Sequence, residues 1–194
     1  MILALFDFDG TITKKDSLIK FIRYAVGDLK AAWGMLLLSP ILITYKLKII
    51  PNYKAKQRVL SYFFKGLNEQ TFQNIAKEYS LKHLDSILRP NALEKIAWHK
   101  EQGHKVVIVS ASIECWLKPW CDRNGLDLIA TKMEMKNGIV TGKFLTKNCH
   151  GIEKVNRVTA SYNLNDYEYI YAYGDSGGDK ELLNLANKRY FRFF

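Results

Sequence analysis

The chain has 194 residues, of which 48% are hydrophobic and 25% charged, with 12 Gly and 4 Pro; this balance excludes disorder, collagen and a small disulfide scaffold. At this length one domain, or a core with a modest insertion, buries enough apolar surface to stand without metals or crosslinks. Lys and Arg number 29 against 19 Asp and Glu, a net charge of +10, which favours an anionic partner such as nucleic acid, a phosphate ester or a lipid headgroup surface.

Residues 2–8 are an apolar run of strand length that ends in Asp-Gly-Thr, a turn-forming exit, and so predict a buried strand of a parallel sheet. Residues 12–88 differ: they lack strand-loop-helix alternation and carry helical stretches, such as Phe72, Ile75, Ala76 and Tyr79 after an Asn68 cap. This reads as a helical insertion, and it holds 13 basic against 5 acidic residues. Within it, residues 31–45 are uncharged, with Lys30 before them and Lys46 and Lys48 after. That stretch is shorter than the roughly 20 residues that span a bilayer and contains Pro40, so it predicts a buried or interface-lying pair of hydrophobic helices.

A helix over residues 90–102, with Leu93, Ile96 and Ala97 on one face and Gly103 at its C-terminal cap, precedes a second apolar strand over 105–109. Residues 128–130 and 169–173 are two more short strands, and 189–194 an edge strand. Asn137-Gly138 inside residues 133–144 is a strong hairpin signal. Helix followed by strand is the rhythm of an α/β fold with a doubly wound parallel sheet. Cys115, Cys121 and Cys149 form an odd set without a C-x-x-C pair, which fits a reducing cytoplasm. Residues 1–6 lack the basic leader of a secretory signal, so none is expected.

The chemistry concentrates at predicted strand ends. Asp7 and Asp9, two residues apart in Asp7-Phe8-Asp9-Gly10-Thr11, point to the same side of a strand, where like charges repel unless a cation joins them. A hard divalent ion with oxygen ligands, Mg²⁺ first, satisfies such a pair, and ligands bind beyond the carboxyl ends of strands in open parallel sheets. Gly174-Asp175-Ser176-Gly177-Gly178-Asp179 comes after another strand and supplies further carboxylates with a close-approaching backbone. Ser110 ends a third strand, where a hydroxyl and free amides at a helix start suit phosphate oxygens. Lys154 opens a helical pattern with Val155 and Val158.

These four motifs, in this order, resemble those of the haloacid dehalogenase-like (HAD) phosphohydrolases, in the branch that includes phosphoserine phosphatases. The resemblance covers essentially the whole chain. It implies a Rossmann-like catalytic core of residues 1–11 and 89–194, with a β-hairpin in the core and a small helical cap domain of residues 12–88. It further implies Mg²⁺-dependent phosphomonoester hydrolysis in which Asp7 takes the phosphoryl group as an aspartyl-phosphate, while Asp9 protonates the leaving alcohol and then activates water. Mg²⁺ would be held by the Asp7 carboxylate, the Asp9 carbonyl and Asp175, supported by Asp179. Lys154 and Ser110 would hold the transferring oxygens, with Thr11 adding a hydroxyl.

Departures at Gly10, Ala111-Ser112 and Ser176-Gly177-Gly178 bear on which ester is cleaved. Asp16 falls where the resemblance implies an acid that contacts a substrate amine, and Arg58 near a cap arginine that contacts a carboxylate. The expected substrate is a small amine-bearing phosphate ester such as phosphoserine, phosphoethanolamine or phosphocholine. The alternative is a phospholipid monoester such as phosphatidylglycerophosphate, reached by peripheral contact of the basic cap with an anionic membrane at its inner face. Nucleic acid is not an expected partner, because no basic helix with base-reading side chains occurs. The four histidines show no paired metal spacing, and Tyr169, Tyr171 and Tyr173 read as packing.

Overall fold

The computed structural model describes residues 1–194. Strand β1 (Ile2–Phe6) is followed by five helices, α1 (Ser17–Val26), α2 (Asp28–Leu37), α3 (Ser39–Lys46), α4 (Asn52–Phe64) and α5 (Glu69–Lys82). The chain then alternates through α6 (Pro90–Glu101), β2 (Lys105–Ile113), α7 (Glu114–Arg123) and β3 (Asp127–Thr131). Strands β4 (Met133–Lys136) and β5 (Ile139–Phe144) precede α8 (Ile152–Ser161), β6 (Tyr169–Gly174), α9 (Lys180–Asn184) and β7 (Lys188–Phe191).

Five strands form one parallel sheet in the order β3-β2-β1-β6-β7. Side chains of β1 alternate between its faces, as a pleated strand requires. Ala4 and Phe6 enter a large apolar cluster with the insertion and α7, while Leu3 and Leu5 enter a smaller one with Val158, Leu182 and Leu183 of α8 and α9. Apolar matter on both faces explains why β1 reads as a continuous hydrophobic run rather than an alternating one. In register, Phe6 pairs with Ile108 on one side and Tyr173 on the other. The end of β1 therefore lies level with Ile108 of β2 and with Tyr173 near the end of β6, and the residues that follow these three positions converge at one edge of the sheet.

The chain leaves the sheet region and returns to it side by side: the Lys14 amide donates to Ile87 O at 2.7 Å and the Arg89 amide to Ile12 O at 2.8 Å. Between these crossings α1, α4 and α5 pack on α7 through aromatic rings. Phe21 stacks on Trp116 with centroids 4.6 Å apart and meets Phe64, Phe72 and Tyr79 edge-on or tilted, contacts worth about 0.5–1.5 kcal/mol each beyond their buried area. The insertion thus shares one core with the sheet domain. Helices α2 and α3 form the apolar pair expected over residues 31–45, and α3 buries no residue. No helix is long and apolar enough to cross a membrane.

The hairpin forms around Asn137 and Gly138, whose φ values of 53° and 74° are those of a two-residue turn that twists with its strands. It stands apart from the main sheet as a two-stranded unit and is bonded to the insertion. The Gly66 amide donates to Val140 O and the Val140 amide to Leu67 O, both at 2.9 Å. Gly142 allows close approach to α4, since a Cβ there would stand 2.3 Å from Ser61 Cα.

Two local expectations are corrected. The buried stripe of α6 is Ala92, Ile96 and His99, whereas Leu93 and Ala97 are exposed. The histidine is buried because its ring nitrogens meet His104 Nδ1 at 2.8 Å and the Tyr173 hydroxyl at 2.9 Å. Strand β2 does not end at Ser110 but runs to Ile113, with a shift in its pairing to β3 between those residues. Thr131 Oγ1 donates to Ala111 O at 3.2 Å and holds that segment extended.

Candidate active site

The edge where β1, β2 and β6 end gathers Asp7, Asp9 and Thr11, then Ser110 and Ser112, then Asp175 and Asp179. Lys154 enters from α8. Its side chain is 1% exposed, a position that an unpaired ammonium does not occupy. The ammonium donates to Asp7 Oδ1 at 2.5 Å, Asp179 Oδ1 at 2.7 Å and Val109 O at 2.8 Å, so all three of its protons have acceptors. Burial works against the Lys154 charge, but the two carboxylates outweigh it and hold its pKa above that of an ordinary lysine.

Asp7 is fixed through both oxygens, since Oδ2 accepts from Thr11 Oγ1 at 3.1 Å. Burial pushes its carboxyl up to about 7, with Asp179 and Asp9 adding to the rise and Lys154 opposing it. Asp179 behaves oppositely. Although buried, it is held below its ordinary value by Lys154 and by the hydroxyl and amide of Ser176, which donate to Oδ2 at 2.7 and 3.0 Å. The Ser176 hydroxyl in turn accepts from the Gly178 amide, so the loop after β6 closes on itself around Asp179. Gly174 leaves room for this, because a Cβ there would stand 2.5 Å from Asp179 Cβ.

Asp7, Asp175 and Asp179 offer carboxylate oxygens that lie within 4.8 Å of one another. An all-oxygen set with this charge fits a hard divalent cation. Asp179 already spends its oxygens on Lys154 and Ser176. Asp175, whose side chain meets only the Thr11 hydroxyl at 3.5 Å, is the freer partner for Asp7. Burial and the Asp179 charge raise its pKa, a shift that a bound cation reverses. Gly10 shapes the cradle: its φ is +89°, and a Cβ would stand 2.3 Å from Asp175 Oδ2.

The Asp9 side chain turns away from this trio. Its Oδ1 accepts from the Ser17 amide at 2.6 Å, at the start of α1, and its Oδ2 accepts from the Ser112 and Ser17 hydroxyls. Burial raises its pKa, Asp16 adds to the rise, and the Ser112 and Ser17 bonds oppose it. Two neighbouring acids are thus set differently: Asp7 lies against an ammonium, and Asp9 at a helix N-terminus among hydroxyls. Ser110 is buried, and its Oγ accepts from the Ser112 amide at 3.0 Å, which leaves its hydroxyl proton free to donate.

Asp16 is exposed and caps α1, accepting from the Ile19 amide at 3.1 Å; its charge is felt at Asp9. Arg58 is exposed on α4 and makes no polar contact with the site. The cation that α4 brings here is Lys56, which donates to Ala111 O at 3.4 Å and lowers the Asp9 pKa. Positions 56 and 58 lie about 200° apart around a helix, so both cannot face the site. The sequence assigns no role to Ser17, and it marks Ser112 only as a departure that bears on substrate, not as a partner of Asp9. Ser112 repeats Ser110 at strand spacing, and Ser17 is next to the Asp16 cap, so each carried a faint signal.

A family model for haloacid dehalogenase-like hydrolases matches residues 4–184. The chain is similar to Protein CicA of Caulobacter vibrioides, at 33% identity over 195 residues, covering 100% of this chain and 86% of that one. A protein of unknown function from Bordetella pertussis Tohama I superposes with a TM-score of 0.83 at 23% identity, covering 97% of this chain and 88% of that one. A phosphoserine phosphatase, solved as a phospho-aspartyl intermediate analogue, superposes with a TM-score of 0.68 at 19% identity over 96% and 84% of the two chains.

Proposed function

The chain belongs to the haloacid dehalogenase-like hydrolase family, and from that membership we propose that it is a Mg²⁺-dependent phosphomonoester hydrolase working through an aspartyl-phosphate on Asp7. The observation that carries this reading is the doubly held Asp7 carboxylate, with Lys154 on one oxygen and Thr11 on the other. Orientation of a nucleophile by fixed donors raises the fraction of near-attack geometries. Uncatalysed phosphomonoester hydrolysis is among the slowest biological reactions, so covalent catalysis and charge stabilisation must act together.

In this proposal Asp7 attacks phosphorus, and the bond from phosphorus to the alcohol oxygen breaks. Asp9, whose pKa burial raises and which therefore holds a proton more readily than an ordinary carboxylate, gives its proton to the leaving alcohol. It then takes one from the water that hydrolyses the aspartyl-phosphate and frees Asp7. Lys154 and the Ser110 hydroxyl stabilise charge developing on the transferring oxygens. Asp7, Asp175 and the Asp9 carbonyl are the groups that would hold Mg²⁺, whose charge offsets repulsion between the carboxylate and the phosphate. Asp179 keeps Lys154 and the 175–179 loop in place.

The helices of residues 12–88 act in this reading as a cap that selects the leaving group. The exposed Asp16, whose charge is felt at Asp9 as that of Lys56 is, supports a small phosphate ester bearing an amine, such as phosphoserine, phosphoethanolamine or phosphocholine. A phospholipid monoester such as phosphatidylglycerophosphate is a second reading, and one observation favours it: α2 and α3 turn large apolar side chains to solvent. Phosphate release from these four substrates with and without Mg²⁺, with Asp7→Asn purified alongside, tests the proposal. Mg²⁺-dependent release from at least one ester, lost in Asp7→Asn, supports it. No release from any phosphomonoester, or undiminished release by Asp7→Asn, rejects it.

A further inference from the structure

Leu29, Trp33, Leu36 and Leu37 recur along α2 at i, i+4, i+7 and i+8, which places them on one face, and they are between 60% and 84% exposed. An apolar stripe at this spacing ordinarily turns toward a core. Here the packed face is the other one. It carries Ala31 and Gly34, with Leu38 just beyond, and Gly34 lets α4 come so near that a Cβ would stand 2.4 Å from the Phe63 ring. Helix α3 adds Ile43, and the segment after it adds Leu47 and Ile49, each more than half exposed. Seven large apolar side chains between residues 29 and 49 are thus more than half exposed, a density above that of the singly scattered apolar residues of an ordinary surface.

Charge selects the partner. Residues 29–68 contain seven Lys and Arg and no acidic residue. Lys30, Lys46, Lys48 and Lys54 are exposed beside the apolar row, and none of them is in an ion pair within the chain. The one acid of α2, Asp28, is already paired with Arg23 at 2.6 Å, so two copies meeting through this face would oppose lysine to lysine, whereas anionic headgroups answer the same charges. The helices have 10 and 8 residues, about 15 and 12 Å of helix, which suits lying in an interface rather than crossing it.

We propose that the outward face of α2 and α3, continued through Leu47 and Ile49, is a docking surface for an anionic phospholipid bilayer, with Trp33 and its apolar neighbours at the boundary of headgroups and acyl chains and the lysines among the headgroup phosphates. The surface leads through residues 47–51 into α4, whose Lys56 reaches Ala111 O beside Asp9. Docking therefore ties the helix that borders the catalytic edge to the membrane plane, whichever phosphate ester is hydrolysed.

Co-sedimentation of the full chain with vesicles of phosphatidylcholine alone, and of phosphatidylcholine mixed with phosphatidylglycerol, tests this without any catalytic readout. Two double variants accompany the wild type, Trp33→Ser with Leu37→Ser and Lys46→Glu with Lys48→Glu. Circular dichroism and the thermal unfolding midpoint check that each is folded. The wild type is expected to pellet with the mixed vesicles and not with the neutral ones, and each double variant to bind the mixed vesicles about tenfold or more weakly. Three results overturn the proposal: a wild type that stays in solution with the mixed vesicles at low salt, equal binding by the Trp33→Ser, Leu37→Ser variant, or a wild-type dimer in solution that this variant dissociates. Because binding is read apart from turnover, failure of the phosphatase reading leaves this outcome intact, and the reverse.

Discussion

Lys154 Nζ lies 2.5 Å from Asp7 Oδ1, and both side chains are almost wholly inside the fold. A buried ion pair contributes little net stability when complete, yet removing one partner leaves the other charge without compensation. Lys154→Met is therefore expected to lower the unfolding free energy by about 3 to 5 kcal/mol, because it strands Asp7 and Asp179 together. Urea denaturation at neutral pH measures this. A loss below about 1 kcal/mol contradicts the charge assignment within the cluster.

Gly10→Ala is a test of the cradle around Asp175. The substitution adds a Cβ 2.3 Å from Asp175 Oδ2 and forces a side-chain-bearing residue to φ +89°. The backbone strain costs about 1–2 kcal/mol, but the larger effect is displacement of the Asp175 carboxylate from Asp7. Activity titrated against Mg²⁺ is expected to show a higher half-saturating concentration in the variant. An unchanged Mg²⁺ curve would mean that Asp175 does not hold the metal.

Ser112→Ala probes Asp9. The Ser112 hydroxyl stabilises the ionised form of Asp9, so its loss raises the Asp9 pKa further. Under the proposal Asp9 must be protonated to release the alcohol, and the alkaline limb of the kcat profile is expected to move to higher pH. The same limb in wild type and variant would take Asp9 out of that role.

The sheet was legible in the sequence because its strands are apolar on both faces and end at acidic or glycine-rich turns, as at Asp7 and Gly174. The insertion was legible as helical from Phe72, Ile75, Ala76 and Tyr79, of which all but Ile75 are fully buried. The direction of side chains across elements was not legible. Lys154 is singled out in the sequence only by the family resemblance, and nothing in its own helical pattern tells that acceptors just after β1, in β2 and in the loop after β6 surround it. Lys56 and Arg58 are alike in sequence, and only the rotation of α4 against β2 distinguishes them. The α6 stripe was misjudged because a histidine at position 99 looked polar, whereas its two ring nitrogens are satisfied inside the core.

His99 also makes the fold sensitive to acid. Burial, with smaller contributions from His104 and Lys95, pushes its pKa down from 6.5 to about 3. The folded state thus binds this proton less readily than the unfolded state, and the stability His99 permits at neutral pH is lost as pH falls from about 6.5 toward 3. His99→Gln is expected to be less stable than wild type at pH 7, yet to show a shallower fall in stability toward pH 4. Denaturant midpoints across that range decide the matter. Parallel curves for the two proteins would mean that other groups set the acid sensitivity.

Asp7 is the residue proposed to carry the phosphoryl group. Rapid acid quenching during turnover of a phosphomonoester in Mg²⁺, with mass analysis of the resulting peptides, addresses this directly. The expected result is a phosphoryl group on the peptide containing Asp7, labile to base and lacking in Asp7→Asn. An enzyme that turns over under the same conditions with that peptide unmodified, or with the phosphoryl group on another residue, contradicts it.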